Sequence, residues 1–164
     1  MLNIICRDMM ESDFDAVVKL NAAEVQQTSE MNRGRLLQLY QLSSYHKVAV
    51  VDGKVAAFLL VMSEDANYVN DNFLWFAKRM THFLYVDRIV VSADFAGRKI
   101  GNALYADLFQ TALAQGVVHI VCEYNIEPPN PVSKAFHDKW GFKEVGTQWL
   151  LEGTKRVSLQ AADI

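Results

Sequence analysis

The sequence predicts an α/β (α+β) fold built on a mixed sheet, and three observations predict it. The apolar runs Phe83–Val91 and Val117–Tyr124 have the length and β-branched content of buried strands. Between them Leu104–Ala114 repeats apolar residues at helical spacing, so a helix bridges the two strands and makes them parallel neighbours. His46–Val51 and Lys54–Met62 flank Asp52-Gly53, a two-residue turn signal that joins them as an antiparallel hairpin.

The remaining elements follow in chain order. Asn3–Arg7 reads as the first strand. Ser12, with Asp15 three residues on, marks a helix start, and Phe14, Val17, Val18 and Leu20 continue with helical spacing. A second helix covers Arg33–Leu42, with Leu36, Leu37, Leu39 and Tyr40 as its apolar face. Residues 63–82 form a long excursion between two strands; it opens polar, then brings in Tyr68, Phe73, Trp75 and Phe76, with helix expected from Asn72 onward. Such excursions are often functional, although the aromatics would equally serve a helix packed on the core. Ala96–Asn102 is a turn, and the helix after it places Leu104, Leu108, Ala112 and Leu113 on one face. Asn130 caps a short helix that has Pro131 at its first position and Gly141 past its end. Residues 143–150 and 155–160 make a last strand pair around Gly153. About four helices thus flank the sheet. No repeat, linker or low-complexity tract divides the chain, so residues 1–164 are expected to form a single domain.

Composition narrows the function. Hydrophobic residues at 51% and charged residues at 21% suit a soluble globular protein and argue against disorder. No stretch approaches the roughly 18 apolar residues that span a membrane. The apolar run at the N-terminus is too short for a secretory signal and meets Arg7 and Asp8 at once, so a cytoplasmic chain without a membrane partner is expected. Cys6 and Cys122 lack metal or redox spacing and read as reduced thiols. A net charge of −3 with scattered basic residues does not make a nucleic-acid surface. His46, His82 and His119 have no partner at ligand spacing, and no metal is expected. No Ser sits in a G-x-S-x-G turn, so a serine hydrolase gains no support.

The most informative segment is Gly97-Arg98-Lys99-Ile100-Gly101-Asn102-Ala103, which follows a strand and opens a helix. A helix N-terminus carries unpaired N–H groups and a partial positive charge, both of which attract an anion. Gly97 and Gly101 would let a phosphate approach the backbone. Arg98 and Lys99 add cations where cations are unfavourable unless something negative is bound. The pattern is neither G-x-G-x-x-G nor a Walker A loop, which weakens dinucleotide and nucleoside-triphosphate readings.

In this context the run Tyr85-Val86-Asp87-Arg88-Ile89-Val90-Val91 followed by Arg98-x-x-Gly101-x-Ala103 resembles the core motif of the GNAT superfamily of acyl-CoA N-acyltransferases. Asn125, then Asn130-Pro131-x-Ser133, then Phe136-His137-x-x-x-Gly141-Phe142 resemble that family's second block, and the element order fits across nearly the whole chain. Lys99 stands where many members have Gly. The resemblance implies a GNAT-like sheet splayed between strands 83–91 and 118–124, into which acetyl-CoA enters like a missing strand. It implies that backbone groups of Ile89, Val90 and Val91 bind the pantetheine arm and that N–H groups from Gly97 to Ala103 bind the pyrophosphate. Asn125, Asn130, Ser133 and Phe136 would line the cofactor's other wall. The family often dimerises through its last strands, which makes a homodimer through residues 143–160 an expectation.

The chemistry has three requirements. The amine, with a pKa near about 10.4, must lose a proton; the developing oxyanion needs a donor, which a backbone N–H of strand 83–91 can supply; the leaving thiolate needs a proton or a hydrogen bond. For the last role the family typically uses a Tyr on the short helix, and this sequence has His137 there. Imidazole can serve near neutral pH; alternatively His137 only stabilises the helix C-terminus. Asp87 and Glu123 lie in otherwise apolar strands and are candidate bases. Asp87 could instead pair with Arg88 or Arg79, and Glu123 could form a salt bridge or bind the acceptor's ammonium. Tyr68, Asn72, Trp75 and Phe76, with the loop around Glu24 to Met31, would lid the acceptor pocket. The acidic balance leans toward a cationic acceptor, with peptide N-termini, amino acids, polyamines and aminoglycosides all open. A non-catalytic acyl-CoA-binding sensor is the alternative, and thioesterase-like hydrolysis is a third reading.

Overall fold

The computed structural model describes residues 2–24 and 28–164. In chain order the elements are β1 (Ile4–Asp8), α1 (Phe14–Ala22), α2 (Arg33–Leu42), β2 (Tyr45–Val51), β3 (Lys54–Ser63), α3 (Asp71–Ala77), β4 (Phe83–Val91), α4 (Ile100–Ala114), β5 (His119–Glu127), α5 (Pro131–Lys139), β6 (Lys143–Leu150) and β7 (Lys155–Asp163). Seven strands run in the order β1-β2-β3-β4-β5-β7-β6. The sheet is mixed. β1 and β2 pair antiparallel, as do β2 and β3, whereas β4 and β5 are parallel with Phe83–Tyr85 opposite His119–Val121. β7 pairs antiparallel with both β5 and β6. The fold is therefore the α/β class that the sequence predicts.

The chain falls into two compact units, residues 1–62 with 86–111 and residues 63–85 with 112–164. In the first unit Asp52 and Gly53 both have positive φ (51° and 79°), the pair of left-handed residues that a tight hairpin turn requires. β3 forms the centre of this core, with Ala56 through Met62 each 0% exposed. Its unbroken apolar run reflects burial on both faces. Asn32 caps α2 by accepting the Arg35 N–H at 2.8 Å. Ser12 does not act as the expected cap. Asp13 precedes α1 but makes no side-chain cap bond to it; it accepts the Met10 N–H at 2.8 Å and both Arg7 guanidinium nitrogens at 2.8 Å, which holds a 3₁₀ turn ahead of α1. Leu37 is 38% exposed and Leu113 68%, so neither joins the apolar face expected of it. Each lies one residue beyond a buried neighbour, Leu36 or Ala112, and a helix turns about 100° per residue.

In the second unit the excursion contains a short helix. Asn70 caps α3 through Oδ1, which accepts the N–H groups of Asn72 and Phe73, both at 3.0 Å. Phe73 and Phe76 then pack with Phe83 and Tyr85, ring centroids 5.6–6.4 Å apart. Burying such rings is the main term that holds a short helix in place. Trp75 lies against β6 at Gly146, where a Cβ would overlap the indole, its Cη2 only 2.9 Å away. β6 has a register irregularity between Glu144 and Gly146, and the absent side chain admits the ring. We predict that Gly146→Ala destabilises the protein by about 1–3 kcal/mol through overpacking. Urea denaturation should show this cost, and a Trp75→Leu background should remove most of it.

Candidate active site

In the first unit β4 runs into the expected turn. The Ser92 hydroxyl accepts the Asp94 N–H at 3.3 Å and starts a 3₁₀ turn over Ala93–Phe95. Gly97 has φ 76° and Lys99 φ 61°, while Arg98 between them is not among the positive-φ residues. Backbone that alternates in sign this way turns successive N–H groups toward one concave side, the geometry of an anion-binding nest. The first helical bond of α4 runs from the Ala103 N–H to the Lys99 carbonyl at 3.2 Å, so the N–H groups of Ile100 and Gly101 lie ahead of the ladder. The first turn of α4 has no acidic residue, and Arg98 and Lys99 are exposed beside it. Arg98 lies 5.7 Å from the centre of the Phe95 ring. Left-handed backbone at Lys99 explains why Gly suits that position, and it is a conformation the sequence did not reveal.

The same unit holds Asp87. Its side chain is 3% exposed and accepts the Arg88 Nε–H at 2.7 Å, so Arg88 is the partner. The guanidinium is tied further to the chain after α1: Nη1 donates to Asn21 Oδ1 (3.1 Å) and the Ser29 carbonyl (3.0 Å), and Nη2 to Ser29 Oγ (3.0 Å). Asn21, 0% exposed, adds a bond from Nδ2 to the Ser29 carbonyl at 2.9 Å. A buried ion pair is tolerated when its remaining donors are satisfied, and here the arrangement pins Ser29. Of the loop around Glu24 to Met31, residues 25–27 lie outside the described residues.

In the second unit the Tyr85 hydroxyl donates to Glu123 Oε1. Tyr85 is opposite Val121, two residues before Glu123, so the pair is a cross-strand diagonal on one face. Tyr85 appears in the sequence motif, but its tie to Glu123 depends on register. Asn125 is 4% exposed, and its carbonyl accepts the Asn130 N–H at 3.0 Å. Asn130 Oδ1 caps α5 by accepting the Ser133 N–H at 3.2 Å. His137 is 3% exposed rather than an outlying helix-end residue, packed with Tyr124, Phe136 and Phe142 at ring distances of 5.8, 5.2 and 5.0 Å. His137 Nδ1 lies 2.8 Å from the Ser133 carbonyl, which only accepts, so Nδ1 carries the proton and Nε2 is the acceptor nitrogen of the neutral ring. Burial lowers the His137 pKa, partly offset by that carbonyl and by Asp138. Burial also raises the pKa of Tyr124, whose hydroxyl therefore stays protonated at neutral pH.

The residues expected at the acceptor divide. Tyr68 (4% exposed) and Phe76 (0%) are committed to the aromatic core. Asn72 is also buried, accepting Gln148 Nε2–H at 3.0 Å, and Trp75 alone of the four is half-buried at a surface pocket. Among the described residues no helix is long and apolar enough to cross a membrane.

Strand, nest and helix N-terminus together make a site suited to a phosphate-bearing ligand. The sequence pattern of the acetyltransferase (GNAT) family matches residues 8–142, and the chain belongs to that family. No curated protein matches the chain. Solved structures share the fold. Ribosomal-protein-alanine N-acetyltransferase from Brucella melitensis is 20% identical over 98% of this chain and 99% of its own, with a TM-score of 0.75. Ard1 from Thermoplasma volcanium is 14% identical over 98% and 97%, with a TM-score of 0.78. A putative acetyltransferase from Salmonella typhimurium, solved with its cofactor acetyl-CoA, is 16% identical over 98% and 94%, with a TM-score of 0.74.

The lowered pKa of His137 fixes the sign of one pH dependence. The unfolded chain takes up this proton near the ordinary 6.5 and the folded chain only at lower pH, so stability is lost as pH falls through 6.5. His46 acts in the same direction, also through burial. Chemical denaturation at pH 7.5 and 5.5 should show lower stability at the acid value, and a smaller difference in His137→Gln.

Proposed function

We propose that the chain transfers an acetyl group from acetyl-CoA to a primary amine by direct transfer in a ternary complex. The observation that carries this reading is the nest at Gly97–Lys99 leading into α4, with two cations and no acid at the positive end of the helix dipole. That set suits a pyrophosphate, held by N–H groups from Gly97 to Ala103. Backbone groups of Ile89, Val90 and Val91 would hold the pantetheine arm, and Asn125, Asn130, Ser133 and Phe136 would contribute further cofactor contacts. The bound thioester would supply the acyl group.

The chain's own residues then have defined tasks. Asp87 or Glu123 accepts a proton from the acceptor's ammonium, which frees the nitrogen lone pair. A backbone N–H of β4 stabilises the oxyanion as the C–N bond forms and the C–S bond breaks. The second amine proton must end on sulfur, and His137 Nε2 is the atom that would carry it, because Nδ1–H is held by the Ser133 carbonyl. Tyr124, packed on His137 and protonated at neutral pH, would be a second donor. A non-catalytic acyl-CoA sensor would keep the nest without using these groups.

Gly101→Glu should abolish acetyl-CoA binding in calorimetry, because bulk and negative charge would enter the nest; unchanged affinity would remove the phosphate assignment. His137→Ala should lower kcat by about 10²-fold or more with a smaller change in the KM for acetyl-CoA. An unchanged kcat in a thiol-release assay would take His137 out of the mechanism.

A further inference from the structure

The excursion that carries α3 leaves an open pocket of about 210 Å³, lined by Asp71, Leu74, Trp75, Lys78, Arg79 and Gln148. Its walls are fixed. Trp75 is seated against Gly146, and Gln148 Nε2 donates to Asn72 Oδ1. Arg79 Nη1 donates to the Trp75 carbonyl at 2.9 Å while its guanidinium stacks 4.1 Å from the indole centre. The other N–H groups of Arg79 and the Lys78 ammonium have no acceptor among the described residues. An apolar floor of Leu74 and Trp75 beside two cations is a recognition surface for a group that is part apolar and part anionic. Asp71 leaves the pocket one positive charge in excess, and at cellular ionic strength this local charge outweighs the chain's net −3, since charges beyond roughly 8 Å are screened.

Register connects the pocket to the candidate site in the same unit. Gln148 is opposite Val157, which is opposite Asn125; Gly146 is opposite Leu159, which is opposite Glu123. Residues directly opposite share a face, so the backbone of Gly146 and Gln148, beneath the pocket, stands two strand spacings, about 10 Å, from that of Glu123 and Asn125. We propose that this pocket binds the anionic end of the acceptor, and that the acceptor is a short peptide with a carboxylate about 10 Å from its reactive α-amine. The inference rests on the acetyl-transfer reading above and on Glu123 receiving the ammonium. A free α-amino acid, whose amine and carboxylate share one carbon, cannot span that distance; an extended chain rising about 3.3 Å per residue covers it in about three residues.

The test compares the tripeptide Ala-Ala-Phe, as free acid and as C-terminal amide, in thiol-release assays of the purified chain with acetyl-CoA. The free acid should be preferred by about tenfold or more in kcat/KM. The double variant Lys78→Glu with Arg79→Glu, checked for folding by circular dichroism, should reduce that ratio to about one without moving the KM for acetyl-CoA. Equal turnover of acid and amide, or a preference that survives the charge reversal, overturns the inference and leaves acetyl transfer standing. Should no amine release thiol, the acetyl-transfer reading fails separately, and calorimetry of the tripeptide acid decides the pocket: binding that the reversal weakens supports it, and no binding overturns it.

Discussion

Helix α4 begins at Ile100 directly after Arg98 and Lys99 and has no acid in its first turn, an electrostatic imbalance on which the candidate site depends. The backbone adds to the cost. Lys99 is left-handed, which for a residue with a Cβ costs roughly 1–2 kcal/mol. A plain strand-to-helix turn has no need of either feature. Both become useful when an anion binds, because the left-handed residues aim N–H groups inward and the cations neutralise the charge. Such a cost is what pre-organisation for a phosphate, as proposed, would require.

Elsewhere the protein handles buried polar groups by satisfying them locally. Asp87 is buried with Arg88, and three further guanidinium bonds go to Asn21 and Ser29. Removing either charge would strand the other in a poorly solvated place, so the pair behaves as a unit. Glu123 accepts the Tyr85 hydroxyl, a neutral donor. His137 is kept neutral by burial and fixed in one tautomer by a backbone carbonyl. Three groups with proton chemistry are therefore each held by a partner of a different kind, so Asp87 and Glu123, which the sequence offers as alternative bases, need not be interchangeable.

Much of this was legible in the sequence, and the parts that were not share a cause. The apolar runs of β4 and α2 identified both elements with the observed bounds. Asp52-Gly53 identified its hairpin because two left-handed residues leave few choices. Ser12 misled because Asp13, equally able to accept an N–H, also had Arg7 within reach. Leu37 and Leu113 were assigned inward on hydrophobicity alone, although angle around the helix decides burial. For the candidate site, the strand–turn–helix was readable as a motif, whereas the left-handed Lys99, the Tyr85–Glu123 bond and the tautomer of His137 depend on backbone angles and register that no local pattern encodes.

The α3 excursion shows how a stability requirement and a recognition surface can be separated within one short helix. Ordering an excursion of this length costs chain entropy, and the residues that offset it are Tyr68, Phe73 and Phe76, all at most 4% exposed. They face one way and leave Leu74, Trp75, Lys78 and Arg79 on the other side of the same turns, where the core makes no demand on them. Trp75 is the exception that joins the two roles: it is anchored at Gly146 yet remains partly exposed. Its ring packs on Gly146 and edge-on against Phe76 at 5.2 Å, and the part that stays exposed is open to contact with a ligand. Under the proposal above, Lys78 and Arg79 beside it would make that contact selective for charge, and a pocket formed by helix and strand rather than by a free loop would hold the far end of an acceptor at a fixed distance from Glu123.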